Sequence, residues 1–454
     1  MDSEVSKAAN PSDAPPPALA NVVAACNGKP EDVAALIDQL VAGHGEASES
    51  VINLVASHNR LSPAAMSLLA SSTADHIMSG RAGEREHAGA GFIDAIDAIV
   101  VQLSGRLFSA EGVEYRAMSG ALANGLALIA LAEPGDTIMA LPARFGGHSS
   151  YRERGYAGAR GLRVVDIPCR ESDGAIDLAA LRREASRERA RVIVVGTAWM
   201  LEPLPVADLR SVADAAGAKL LYDGAHVLGL VAGGQFQNPL REGAHVLTGS
   251  TQKTLGGPVG GLVLSATREL GEHIGCVTST LISNYHNNRI AALAMTLAET
   301  VQFGNAFASA IVGNARSLAR AMADAGLPVV GRQPNFTDSH VVLLDPAGLP
   351  DDASSFRRLE AAGILTTKVP LAATYPERRA LRLGTPAVSR VGMGADDMRV
   401  IATLVRRVLI DGEAPDCVAI DAAQLARKHP DVKYCFANAD KIRGHSATNS
   451  IHGM

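Results

Sequence analysis

Aromatic residues make up only 4% of the 454-residue chain, with a single tryptophan. That scarcity argues against aromatic platforms that stack exposed bases. Basic residues are not in excess either: 42 Lys and Arg face 47 Asp and Glu, a formal charge of −5. This balance excludes a chain-wide basic face for nucleic acid. The five cysteines (Cys26, Cys169, Cys276, Cys417 and Cys435) are scattered, odd in number and never spaced as Cys-x-x-Cys. A disulfide framework or zinc cluster is not expected, no metal is predicted, and a reducing compartment fits best. No segment approaches the roughly 18 consecutive apolar residues of a membrane-spanning helix. The start, Met1-Asp2-Ser3-Glu4, lacks the basic and apolar regions of a signal peptide. Together these absences predict a cytoplasmic protein with neither nucleic acid nor membrane as partner.

What is present is a globular composition, 47% hydrophobic and 20% charged, enough to bury a sizeable core. Residues 1–20, with Pro11, Pro15, Pro16 and Pro17, read as an arm, and 441–454 as a loose tail. Between them, short runs rich in Val and Ile alternate with amphipathic segments. Residues 136–141, 163–167, 191–196, 219–223, 245–248 and 261–264 read as buried strands, and 177–187 and 206–216 as connecting helices. Such alternation predicts an α/β fold with a mainly parallel sheet covered on both faces. Beyond about residue 303 the pattern changes to a helix (306–325), a strand (339–344), a helix (353–362), a strand (381–384) and a helix (396–409), a smaller α+β domain. The division expected is an arm and helix over 1–50, a large domain over 51–305, a small domain over 306–440, and the tail.

Three motifs carry chemistry. Gly249-Ser-Thr-Gln-Lys253-Thr-Leu-Gly-Gly-Pro-Val-Gly-Gly261 lies between two predicted strands. Its glycines permit close backbone approach, its hydroxyls and N–H groups suit a phosphate, and an enclosed Lys can form a Schiff base. A tight inter-strand loop with an exposed lysine is the plainer alternative. Leu220-Leu-Tyr-Asp223-Gly-Ala-His226 ends a predicted strand, where ligands of α/β sheets bind. Asp223 there can pair with a protonated ring nitrogen, or be no more than a helix cap beside a core histidine. Arg116-Ala-Met-Ser119-Gly120-Ala121-Leu-Ala-Asn124 leaves a strand and enters a helix, whose N-terminus attracts anions; a simple Ser cap explains it equally well. Strand-end Asp, Schiff-base Lys and helix-end phosphate cup together are the parts of a pyridoxal phosphate site.

In these motifs the chain resembles a fold-type-I pyridoxal-phosphate enzyme of the aspartate-aminotransferase-like class, and more narrowly serine hydroxymethyltransferase, from about Ile52 to Leu409. The resemblance rests on Asn53-Leu-Val-Ala-Ser57, Glu133-Pro-Gly-Asp136, Phe145-Gly-Gly-His148, Asp223-Gly-Ala-His226, Ser250-Thr-Gln-Lys253 and Arg382-Leu-Gly-Thr-Pro386. It implies a seven-stranded sheet, and it implies roles. Lys253 would hold the cofactor aldehyde and Asp223 its ring nitrogen. Phe145 falls where the family stacks an aromatic on the ring. Ser119, Gly120, Ala121 and Ser250 fall at phosphate positions, with Ala121 replacing a hydroxyl. Arg382 would clamp the substrate carboxylate. Ser57, Thr197 and His226 lie where the family contacts that carboxylate or the ring oxygen. A homodimer with shared active sites is implied, residues 279–288 facing the partner's site.

The departures cluster. His58-Asn59-Arg60 replaces Glu-Asn-Tyr; the position of the family's catalytic Glu is Ser79; two active-site tyrosines become Ile77 and His87; Gln252 replaces the His before the lysine; Val259 replaces an Arg. The cofactor half is kept and the one-carbon half is rewritten. The expected activity is therefore folate-independent chemistry at Cα of an amino acid: cleavage or formation of a Cα–Cβ bond on a β-hydroxy-α-amino acid, as in a threonine aldolase or transaldolase, with an aldehyde as second substrate. His87 and His148 are the candidate bases, since imidazole titrates near working pH. Three alternatives stand beside it: an oxygen-using decarboxylase (monooxygenase) of a glycyl-nucleoside substrate in antibiotic biosynthesis, serine hydroxymethyltransferase itself, and an inactive binding paralogue.

Overall fold

The alternation of apolar strands and amphipathic helices between residues 112 and 265 builds one seven-stranded sheet in the computed structural model. The structure describes residues 19–171, 173–349, 352–370 and 379–436; most of the N-terminal arm and the whole 441–454 tail lie outside them. In chain order the strands are β1 (Gly112–Glu114), β2 (Thr137–Ala140), β3 (Arg163–Asp166), β4 (Ala190–Val195), β5 (Lys219–Asp223), β6 (Val246–Ser250) and β7 (Gly261–Ser265). Their spatial order is β1-β7-β6-β5-β4-β2-β3. Only β7 runs against its neighbours, β6 and β1; the remaining pairs are parallel. β2, β6 and β7 are buried along their whole length, which is why they read as continuous apolar runs rather than alternating ones.

Helices cover both faces. α1 (Gly120–Leu131) follows β1, α2 (Leu178–Arg187) joins β3 to β4, and α3 (Val206–Ala216) joins β4 to β5. The parallel strands therefore deliver their carboxyl ends to one edge, where Gly196, Asp223 and Ser250 emerge together.

The second unit is a four-stranded antiparallel sheet ordered Val329–Val330, Val341–Leu344, Arg379–Gly384, Thr367–Pro370. Helices Asp352–Ala361, Ala395–Leu409 and Pro415–Arg427 accompany it. Two features differ from the expected division. A 38-residue helix, α4 (Asn287–Asp324), runs straight through the boundary at 305/306. Its first part, to Val312, packs in the core of the large sheet, and Ala315 to Met322 pack in the second core. The strand Ile52–Asn53 pairs in parallel with Ile364–Leu365, and Ile52 and Leu54 are buried in the second core. The start of the expected large domain thus belongs by packing to the C-terminal one, because its apolar residues are covered only there. Among the described residues no helix is long and apolar enough to cross a membrane.

Candidate active site

Asp223 closes β5, and its carboxylate is held on both oxygens. Oδ1 accepts from Ala225 N at 3.0 Å and Oδ2 from Asn124 Nδ2 at 2.9 Å. Gly196, at φ +117°, lets the end of β4 lie against it: a Cβ there would stand 2.2 Å from the Asp223 carbonyl oxygen. Lys253 sits three residues beyond β6, on a loop tied down by Asn59 Nδ2, which donates to the Lys253 carbonyl at 2.7 Å. Lys253, Asp223, His226, Ser250, Thr197 and His148 line one cavity with the head of α1, Gly120 and Ala121; its free space, counted to the mouth, is ≈ 340 Å³.

Burial pushes the Lys253 ammonium down to about 8 and nearby Arg382 adds to this, while Asp223 works the other way. Above that pH the amine is neutral and nucleophilic; below it the amine is protonated and inert. The rate at which apoprotein develops cofactor absorbance on addition of pyridoxal phosphate is therefore expected to climb with pH up to about 8 and then level off. A stopped-flow series from pH 6 to 10 checks this; a rise that continues without a bend would show an unperturbed lysine.

At the opposite end, Ser119 caps α1, its Oγ accepting from Leu122 N at 3.1 Å. Capping and anion binding coexist, because the cap uses one N–H and leaves others at the positive end of the helix. A Cβ on Gly120 would lie 2.1 Å from Ser250 Oγ, so the head of the helix and β6 touch through glycine alone. Gly120→Ala is expected to weaken binding of pyridoxal phosphate about ten-fold or more, since overpacking a tight contact costs about 1–3 kcal/mol. Equilibrium dialysis against the free cofactor measures it.

Arg382 comes from the other unit, on the strand Arg379–Gly384. Its Nε donates to Thr367 Oγ1 at 3.1 Å and its Nη1 to the Ala198 carbonyl at 2.7 Å. It is buried, burial pulls its pKa down to about 10, and no carboxylate pairs with it among the described residues. A buried guanidinium without a carboxylate is a receptor for one. His226 lies buried on the cavity wall, stacked on His340 with ring centroids 5.7 Å apart and planes 15° apart. Burial first, then the cations Lys253 and Arg382, holds His226 well below the usual range; burial, Arg382 and Lys253 bring His340 to about 3.

Lys253, Asp223, His226, Ser250, Gly120, Ala121, Thr197 and His148 therefore converge on one cavity, with Ser119 capping the helix at its edge and Arg382 reaching Ala198 on its wall. Three expected residues do not line it. Phe145 closes a short 3₁₀ turn (Ala143–Phe145) that faces its ring away, against Gly174 and under the Arg144 guanidinium at 4.9 Å. The ring at the cavity is that of His148, three residues on. His87 is exposed, and its Nδ1 accepts from Ser79 N at 3.3 Å. Ser57 is half-buried; its neighbour Ala56 packs on Gly384, two positions from Arg382. Ser79 Oγ donates to the Ser283 carbonyl at 2.5 Å, so its hydroxyl is committed to a loop. Asn124, at the end of the Ser-Gly-Ala motif but given no role there, holds Asp223, and His340, which lies in no motif, backs His226. The spacing Ser119–Asn124, one helical turn and a third, was the one available signal for the first.

The donor set fits pyridoxal phosphate: a lysine of lowered pKa, a fixed carboxylate, and a helix N-terminus where Gly120 lies close against Ser250. The family model for serine hydroxymethyltransferase matches residues 31–405. A serine hydroxymethyltransferase from Methanopyrus kandleri is 40% identical over 364 residues, covering 79% of this chain and 85% of the relative. One from Methanothermobacter thermautotrophicus is 36% identical over 417 residues, covering 91% and 98%. The crystal structure of L-threonine transaldolase from Pseudomonas fluorescens superposes with a TM-score of 0.83 at 25% identity, covering 92% of this chain and 98% of that one. The chain accordingly belongs to the serine hydroxymethyltransferase family, pyridoxal-phosphate-dependent enzymes of the transferase and lyase kind.

Proposed function

We propose that this enzyme makes or breaks the Cα–Cβ bond of a β-hydroxy-α-amino acid without folate, in the manner of a threonine aldolase or transaldolase, with an aldehyde as the second substrate. One observation carries the reading: Asp223 is the only carboxylate lining the cavity among the described residues, and both its oxygens are engaged. A carboxyl group for proton transfer to a one-carbon unit is missing, and Ser79 cannot supply one. The likeness to L-threonine transaldolase supports the same choice.

Bound pyridoxal phosphate supplies an electron sink for a carbanion at Cα. The protein supplies the rest. Asp223, held as a fixed anion, would pair with the ring nitrogen. Ser119, Gly120 and Ser250 would receive the phosphate at the head of α1. Arg382 would take the substrate carboxylate and so hold the amino acid in one orientation. Lys253 Nζ, with a pKa near 8, takes and returns protons close to neutral pH. A second copy of the chain, with residues 279–288 turned toward the neighbouring site, would complete the cavity from the side of Ser79.

A second reading is favoured by one feature. An open groove of ≈ 1330 Å³, counted to its mouth, adjoins the cavity and shares Ala121 and His148 with it. It has room for a bulky substrate, such as a nucleoside-linked glycyl unit losing carbon dioxide to oxygen. Exchange of label between threonine and glycine in the presence of acetaldehyde, run with and without tetrahydrofolate and in air and under argon, separates the readings. The proposal expects exchange that ignores both additions; dependence on tetrahydrofolate or on oxygen would overturn it.

A further inference from the structure

His148 is the imidazole at the cavity mouth, and its hydrogen bonds define its protonation. Asn124 Nδ2 has two hydrogens. One goes to Asp223 Oδ2 at 2.9 Å and the other to Ser150 Oγ at 3.0 Å. The orientation of this amide follows from charge, because its carbonyl turned toward Asp223 would face a carboxylate. The cost is a buried Asn124 Oδ1 with no partner, which a structure tolerates only where the two donations are needed. Ser150 Oγ, already an acceptor, has a proton to place, and His148 Nδ1 lies 2.8 Å away. The backbone N–H of Ser150 points at the same Nδ1, at 3.2 Å. A proton on Nδ1 would confront that N–H and leave the serine hydroxyl without an acceptor. Nδ1 is therefore an acceptor, and in a neutral imidazole the proton must sit on Nε2.

We propose that the chain Asp223–Asn124–Ser150 fixes His148 as the Nε2–H tautomer, so that it donates a hydrogen bond to an oxygen of the bound substrate and does not serve as the general base. Asn124 and Ser150 are its positioning residues. This rests on reading the cavity as the cofactor and substrate site. The charged and titratable groups facing the ring agree. Lys253 and Asp223 lie across the cavity with opposite effects, His226 stands beside it, and Arg152, Glu153 and Arg154 line the groove on its other side. His148 is exposed at the cavity mouth, and crowding of the ring by protein atoms pushes its pKa down, which favours the neutral form. Nε2 makes no hydrogen bond among the described residues, so its proton is free for a ligand. A donor there suits the β-oxygen of the substrate, whose proton then passes to Lys253 Nζ or to water.

The test uses full-length holoenzyme labelled with ¹⁵N-histidine, the His148 signals being assigned by their loss in His148→Asn. Expected are an unprotonated Nδ1 and a protonated Nε2 at pH 8, where an imidazole is neutral. Ser150→Ala should let the Nδ1–H form appear and slow kcat about three- to ten-fold, the worth of one hydrogen bond, with KM little changed. Ser150→Thr should restore both. A protonated Nδ1 in the wild type would overturn the proposal. So would loss of the acid limb of the kcat/KM profile in His148→Asn, which would make the ring a base. Cofactor absorbance that is lost in Lys253→Ala but kept in Ser150→Ala would preserve the cofactor-site reading whatever His148 does. A holoenzyme with no such absorbance would remove that reading itself.

Discussion

Lys253→Ala is expected to lose turnover by a factor on the order of 10⁴ or more, since the amine acts first as nucleophile and then as proton carrier and no neighbour can replace it. Gln252 and Thr254 flank it in sequence, and neither can form a Schiff base. The other cations of the site are guanidiniums, or imidazoles held neutral by burial. Lys253→Arg should fail equally, which separates nucleophilicity from charge. The fold should survive, because the loop hydrogen bond from Asn59 reaches the Lys253 backbone and not its side chain. Steady-state rates and a far-ultraviolet spectrum measure the two effects. Surviving turnover in Lys253→Ala would remove the cofactor mechanism altogether.

Arg382→Ala is the second large effect. The expected result is a rise in the KM for the amino acid of about 10²–10³-fold, with the yellow cofactor still bound. Removing one side of a buried charged hydrogen-bonded pair costs about 2–5 kcal/mol, and no carboxylate among the described residues pairs with this guanidinium. Nε and Nη1 hold Thr367 and Ala198, so the fork arrives already oriented. Arg382→Lys should rescue little, because an ammonium cannot keep those two bonds and still present a planar pair of donors. Release of the cofactor on substitution would show that Arg382 serves the cofactor and that the carboxylate is bound elsewhere.

The legible parts of the structure were those governed by local pattern. β4 and β5 could be read from 191–196 and 219–223 because parallel strands covered on both faces are apolar without alternation. α3 was read at its full length, Val206–Ala216, because amphipathic periodicity and Gly217 mark its face and its end. Lys253 and Asp223 could be picked out because a glycine- and hydroxyl-rich loop and the end of an apolar strand mark their places locally, whereas Arg382 was singled out by the family resemblance alone. What was not legible depends on distant partners. The strand Ile52–Asn53 is defined by Ile364–Leu365, more than three hundred residues away. The unbroken α4 depends on two cores sharing one helix. Helix Gly91–Phe108 was not among the elements read from the pattern. Phe145 falls outside the cavity lining while His148 is in it, because one short 3₁₀ turn decides which ring meets the cavity, and no periodicity encodes that. His340 announces itself only through its stack on His226.

The central claim is folate-independent carbon–carbon chemistry, and threonine with a second aldehyde tests it most directly. Under argon and without tetrahydrofolate, the enzyme should release acetaldehyde from L-threonine and form, mole for mole, a new β-hydroxy-α-amino acid from the added aldehyde or, without that aldehyde, glycine. No acetaldehyde under those conditions, together with turnover of serine once tetrahydrofolate is supplied, would contradict the account and return the protein to one-carbon transfer.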